Sequence, residues 1–229
     1  MKKISILFIV LTSLIMRADG IALPVRPNDA VWSNFCYLLD SMPVDKAERL
    51  LKDVFECNMN VSDYTYLADI TERYLHYQDS PCLNDNLYIY VMDIITKSPS
   101  IALADRIRYV ENLEMAKRNR VGSQALDFKY NVTGGKSGHL YGIKAKYLLI
   151  LFYNPDCDEC SDLLHKIKSS SDISHKVKLA VFHGNDLMFK LQTYDMSMVP
   201  TLYLLDKNKI VLLKNATFDE VEHYLHKVS

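Results

Sequence analysis

Seven consecutive residues, Tyr147-Leu-Leu-Ile-Leu-Phe-Tyr153, constrain this chain more than any other stretch. A run so short and so continuously apolar reads as a strand buried on both faces, the kind found where helices cover both sides of a sheet. It leads directly into Asn154-Pro155-Asp156-Cys157-Asp158-Glu159-Cys160, and from 160 to 168 the apolar spacing becomes helical. Strand, turn and helix in that order predict an α/β unit with a mixed central sheet flanked by helices. Short β-favouring runs at 128–132, 178–182, 201–205 and 209–213 supply the other strands, and helical patterns lie at 186–194 and 218–228. Asp206-Lys207-Asn208-Lys209 has turn chemistry, so the last two strands are expected to form an antiparallel hairpin.

The first half of the chain has a different period. Ala47, Leu50, Leu51, Val54 and Phe55 recur at helical spacing, as do Tyr66, Leu67, Ile70, Tyr74 and Leu75. Helices are expected at about 29–40, 43–57, 62–77, 84–97 and 100–118, with Pro43 in a first helical turn and Ser62 as an N-cap. The polar stretch 116–123 ends in Gly122 and marks the junction. A chain of 229 residues suits two compact units. The expected division is a leader at 1–20, an all-α domain at 25–118 and an α/β domain at 122–229.

The leader rests on Lys2 and Lys3 followed by a mostly apolar run at 4–16, with Ala18 and Gly20 as small residues for cleavage. That is the pattern of a secretory signal peptide, and the run is shorter than the roughly 20 residues of a membrane span. The expectation is an exported, periplasmic, soluble protein. Lys plus Arg total 27 against 28 Asp plus Glu, evenly interleaved, which argues against nucleic acid as a partner. Export also matters for the five cysteines, because outside the cytoplasm they can be held as disulfides.

Cys157 and Cys160 are the candidate catalytic pair. Two cysteines three positions apart at a helix start bring their sulfurs within reach of a small disulfide ring, and the free N–H groups there stabilise a thiolate on the first sulfur. Cys157 would be the exposed nucleophile and Cys160 the thiol that resolves a mixed disulfide. The competing readings are a structural bridge, half a zinc site, or inert core thiols. Zinc wants about four ligands, whereas Cys36, Cys57 and Cys82 are scattered singly. A bridge across so short a loop would restrict little unfolded-chain entropy. Neither a metal nor an organic cofactor is expected, since the electrons reside on the two sulfurs.

With these residues in place, the region from about 122 to 228 resembles the thioredoxin-like proteins, and within them the exported TlpA/ResA-like thiol:disulfide oxidoreductases. The resemblance rests on the Cys157-Asp-Glu-Cys160 motif after an apolar strand, on Met198-Val199-Pro200-Thr201 further along, and on Gly122, Ala125, Asp127 and Phe128. It implies that Pro200 is a cis-proline beside the redox pair and that Val199 offers backbone hydrogen bonds to an extended substrate chain. It implies client proteins with disulfides or thiols, and a membrane or soluble redox partner that resets the pair. The helical half resembles N-terminal extensions of such domains; dimerising the protein, covering the redox site and binding substrate are its open roles.

The sequence departs from the family at three places. Asp156 stands where a tryptophan is common, Leu151 where a buried acid assists proton transfer, and Asp158 and Glu159 are both acidic. A carboxylate about 8 Å from a thiolate in water disfavours it by roughly 0.5 kcal/mol, so Asp156, Asp158 and Glu159 together offset the helix-terminus effect. The expected poise is that of a reductant or weak oxidant. A thiol peroxidase would carry a threonine where this chain has Asn154. The other reading is a redox-inactive thioredoxin-fold scaffold whose helical half recognises a partner. Cys36, Cys57 and Cys82 allow one structural disulfide, with the pairing open.

Overall fold

The computed structural model describes residues 15–18, 21–24, 26–57, 59–77, 80–132, 136–183, 193–196 and 199–228. The chain divides into two compact units, 1–113 and 114–229. Most of the expected leader, at 1–14 and 19–20, lies outside the described residues; Ile15–Ala18 (β1) and Ile21–Pro24 (β2) pair as an antiparallel ribbon. Among the described residues no helix is long and apolar enough to cross a membrane.

The first unit is built from five helices: α1 Asp29–Asp40, α2 Val44–Glu56, α3 Val61–His76, α4 Asp85–Lys97 and α5 Leu103–Ala116. Asparagines start three of them, Asn28, Asn60 and Asn84 each accepting a hydrogen bond from a backbone N–H three residues on. The cap of α3 is therefore Asn60 rather than Ser62. Asparagine two residues earlier already satisfies the free donor of Asp63, which releases the Ser62 hydroxyl to accept from Arg26 at 2.6 Å. The periodic apolar residues meet in a core of Trp32, Leu50, Leu51, Val54, Leu67, Val91 and Met92. Tyr64, Tyr88 and Tyr109 are fully buried with them, so part of the tyrosine-rich stretch packs the interior.

One acid is buried among these helices. Glu72 of α3 accepts from Tyr88 of α4 at 2.7 Å and from Arg108 and Asn112 of α5 at 2.6 and 2.8 Å. A carboxylate out of water is tolerated when its oxygens are filled this way, and here the filling ties three helices together.

The second unit holds a four-stranded mixed sheet of order β6-β5-β7-β8, made of β5 Tyr147–Tyr153, β6 Lys178–His183, β7 Thr201–Asp206 and β8 Val211–Lys214. β5 runs parallel to β6 and antiparallel to β7, so it is central. Its alternate residues serve opposite faces. Leu148, Ile150 and Phe152 join Phe128, Phe182, Tyr194 and Tyr203 on one side. Leu149 and Leu151 join Leu202 and Leu204 on the other, under α6 Asp158–Ser169, α7 Ser171–Ser174 and α8 Phe218–Lys227. Burial on both faces is why β5 needed an unbroken apolar run.

The β7–β8 hairpin forms as the turn chemistry predicted, with a shift in where its second strand begins. The Asp206 carboxylate accepts from the N–H groups of Asn208 and Ile210, both at 2.8 Å, and Lys209 takes a left-handed φ of 66°. That conformation delays β8 to Val211. The run at 128–132 forms β3 Lys129–Val132, which pairs with β4 Lys136–His139 as a separate ribbon. β4 was not foreseen because Lys-Ser-Gly-His carries no apolar pattern. The helix expected at 186–194 falls for its first seven residues outside the described residues. Gly122 holds φ 84°, a conformation that favours glycine, and its N–H donates to Val211 O at 2.8 Å.

Candidate redox site

β5 ends at Tyr153, and the four residues that follow turn the chain into α6. Asn154 organises that turn. Its side-chain oxygen accepts the Asp156 N–H at 3.2 Å, and its carbonyl accepts the Cys157 N–H, also at 3.2 Å. This is an Asx turn, the local alternative to strand or helix that asparagine provides. Sequence reasoning used Asn154 only as the place where a peroxidase threonine was missing; the signal for its structural part was Asn-Pro at a strand end.

Cys157 caps α6. Its sulfur accepts the Cys160 N–H at 3.2 Å and its carbonyl accepts the Ser161 N–H at 3.2 Å. A sulfur in the N-cap position thus satisfies one of the helix's free donors. Cys157 is half-buried, Cys160 is fully buried one turn in, and both are free thiols. Loss of water pushes the Cys160 thiol up to about 11, with the neighbouring Cys157 sulfur and the Glu159 charge adding to the rise and a backbone hydrogen bond from Asn154 opposing it. The pair is therefore asymmetric: Cys157 is partly open to solvent, while Cys160 is sealed and favours its protonated thiol.

Of the three acids assigned to redox tuning, Asp156, Asp158 and Glu159 are all exposed. Asp158 and Glu159 form the first turn of α6, where a negative charge favours the helix while disfavouring a thiolate. Leu151, in the position where the family places an acid, is buried among Leu149, Ile167, Leu202 and Leu204.

Strand register places Val199 and Pro200 at the same end of the sheet. Phe152 is opposite Thr201 in the antiparallel pair of β5 with β7, so the residues before Thr201 continue past the point where β5 gives way to the cysteine turn. The Val199–Pro200 peptide bond is cis. Met198, the preceding member of the motif, lies outside the described residues. The N-terminal group of the resemblance also has distinct positions: Ala125 is fully buried, Phe128 packs edge-on against Phe182 and Tyr194, and Asp127 accepts from the Tyr141 N–H at 3.1 Å.

A cavity of about 540 Å³ opens beside the later turns of α6, lined by residues including His165, Lys166, Asp172 and Glu222. None of the predicted site residues lines it.

A mixed sheet of order β6-β5-β7-β8, buried on both faces, with a two-cysteine helix start after its central strand, is a thioredoxin-like fold. The solved structure of a thioredoxin-like protein from Bacteroides caccae matches at a TM-score of 0.80 and 29% identity, covering 87% of this chain and 83% of that one. The C-terminal domain of an uncharacterized protein from Bacteroides fragilis is 34% identical, covering 47% of this chain and 98% of that one at a TM-score of 0.45. The thioredoxin domain of a thiol-disulfide oxidoreductase from Bacteroides vulgatus is 16% identical, covering 48% and 97% at a TM-score of 0.36. A family model described as a domain of unknown function (DUF5106) matches residues 26–119, which hold the five helices. The sequence finds no significant match among curated proteins.

Proposed function

We propose that this protein is a thiol:disulfide oxidoreductase that exchanges disulfides with client proteins through Cys157 and Cys160. The observation that carries the reading is the asymmetry of the pair: Cys157 half-buried at the helix cap, its sulfur accepting the Cys160 N–H, and Cys160 fully buried behind it.

In the reducing direction the Cys157 thiolate attacks one sulfur of a client disulfide. That S–S bond breaks, the departing client sulfur takes a proton, and a mixed disulfide remains. Cys160 then gives up its proton and attacks the Cys157 sulfur. The second client thiol leaves, and the Cys157–Cys160 disulfide carries the two-electron oxidation. A membrane or soluble redox partner returns two electrons and two protons to reset it. Val199 and Pro200, at the same end of the sheet, are the proposed rest for an extended client segment.

The direction follows from the charges. Strong oxidases stabilise their reduced form through the thiolate, whereas Asp156, Asp158 and Glu159 disfavour a thiolate here, so the protein works as a reductant or weak oxidant. The reading includes export to the periplasm and kinship with the TlpA/ResA-like subgroup, supported by the leader pattern at 1–20 and the motif residues. For the helical unit the reading carries three roles: dimerising the protein, covering the redox site or binding substrate.

The test is a redox titration of the purified protein beside Cys157→Ser and Cys160→Ser, with reduction of an insulin-type disulfide followed in parallel. Reversible cycling, loss of turnover in both variants, and mixed disulfides trapped by Cys160→Ser support the reading. A pair that will not cycle, with variants that change only thermal stability, sinks it.

A further inference from the structure

The rim of the redox site carries charge of one sign. Asp156, Asp158, Glu159 and Asp162 fall within seven consecutive residues around Cys157, and the chain holds no lysine or arginine between Lys146 and Lys166. Asp156 directly precedes the capping sulfur, with its N–H fixed by Asn154 at 3.2 Å; Asp158 and Glu159 stand in the first turn of α6, and Asp162 follows one turn on. All four carboxylates are exposed, and among the described residues none takes part in an ion pair.

The cations that bound this stretch are engaged elsewhere. Lys166 pairs with Asp219 at 3.4 Å and lies 4.0 Å over the Phe218 ring, and Lys146 stands over the Tyr147 ring at the opposite end of β5. Across the whole chain 27 lysines and arginines nearly balance 28 acids, so the excess belongs to this site. Single exposed charges contribute little to stability, but their fields add: a site lined by one sign raises the encounter rate of an oppositely charged partner by roughly 10- to 1,000-fold. The Cys157 thiolate adds a further negative charge when it attacks, and exchange passes that charge to the departing client sulfur. Cations beside a client disulfide meet this charge favourably throughout, and carboxylates meet it unfavourably.

We propose that the redox site selects clients whose disulfide is flanked by lysine or arginine and disfavours clients flanked by acids. This rests on the exchange reading above and names the substrate class of the same site. The Cys157 thiolate attacks one sulfur of the cationic client disulfide; the S–S bond breaks and the departing sulfur takes a proton. Cys160 loses its proton, attacks the Cys157 sulfur and expels the second client thiol, so two electrons pass from the cysteine pair to the client. Asp156, Asp158, Glu159 and Asp162 transfer no proton in this sequence; they set the field through which the client arrives.

The experiment uses the full chain, reduced and freed of reductant, in single turnover. Two peptides share an intramolecular disulfide and differ only in its flanking residues, lysines in one and glutamates in the other. Oxidation of the Cys157–Cys160 pair is followed by acid quench and alkylation. Each rate is divided by that of the same peptide with uncharged dithiothreitol, which cancels the difference in intrinsic reactivity. The expected lysine-to-glutamate ratio is above about 10 at roughly 0.01 M salt, where the Debye length is about 30 Å, and falls toward one at about 1 M, where it is about 3 Å. The variant combining Asp156→Asn, Asp158→Asn, Glu159→Gln and Asp162→Asn should lose most of the ratio at low salt. Equal normalised rates at low salt in the unaltered chain, or a preference that survives in the variant, overturn the proposal. Failure of both peptides to oxidise the pair sinks the exchange reading itself, and this inference with it.

Discussion

The cysteines of this chain sit in two opposite settings. Cys157 and Cys160 occupy a helix start at the end of a sheet, three residues apart, with one sulfur half-open to solvent. Cys36 and Cys82 come from distant parts of the sequence and are both buried within the helical unit. A thiol exchanges disulfides when its thiolate is accessible and the resolving sulfur is adjacent; sealed in a core it stays protonated and packs as a small apolar group. The difference lies in exposure rather than in the chemistry of sulfur.

The largest expected effect comes from removing the open sulfur. Cys157→Ser should lower disulfide-reduction turnover by more than about 1,000-fold, because no other exposed thiolate stands beside a resolving partner. The double variant Cys36→Ala with Cys82→Ala should keep its turnover and lose thermal stability. Assays of both variants side by side would break the contrast if the second also lost its turnover.

Next in size is a packing change under the redox site. Phe152 is fully buried between Phe128, Tyr194 and Tyr203 on the central strand. Phe152→Ala should destabilise the sheet unit by about 3–5 kcal/mol, read by denaturant unfolding, through lost burial and the cavity left behind. Fluorescence from Trp32, the chain's one tryptophan and a core residue of the helical unit, should report little of that loss. Equal losses by both probes would mean that the two units unfold together.

Reactivity against pH sharpens the comparison further. With Cys160 pushed up to about 11 by burial, its thiolate fraction grows about tenfold per pH unit below that value, so its alkylation rate in the reduced protein should rise about 100-fold between pH 8 and 10. The sign follows from the raised value: the fold favours the protonated thiol, and that preference is lost as pH rises through about 11. Cys36, sealed more deeply, should remain unlabelled across this range until the helical unit opens. Peptide-resolved mass spectrometry of timed alkylation separates the sites.

The smallest effect belongs to the acids between the cysteines. Neutralising both with Asp158→Asn and Glu159→Gln removes two exposed charges worth roughly 0.5 kcal/mol each. The reduction potential should rise by about 20 mV, making the pair more oxidising, and the shift should shrink at high salt as screening sets in. An unchanged potential at low ionic strength would show that the helix start alone sets the poise.

Much of this molecule was legible from local pattern. β5 was recovered end to end because a strand covered on both faces must be apolar at every position, and the helices of the first unit because an amphipathic face repeats at 3.6 residues. The cysteine motif was legible for the same reason: partners three residues apart are brought together by the helix itself. β4 was missed because its residues satisfy a neighbouring ribbon without burying an apolar face. Asn154 was undervalued because an Asx turn looks like any polar loop until its hydrogen bonds are seen.

The sequence by itself determined what needs only neighbours along the chain: the order of elements, the α/β character of the second unit, and the sulfur pair at a helix start. Tertiary structure alone decided what depends on residues far apart. It buried Cys36 and Cys82 while leaving Cys57 half-buried at a helix end, surrounded Glu72 with donors from two other helices, and set Pro200 beside the end of β5. Local periodicity fixes which way a side chain points. Which partner it meets is fixed only when the chain closes on itself, because that encounter is governed by packing between elements whose spacing in sequence carries no signal.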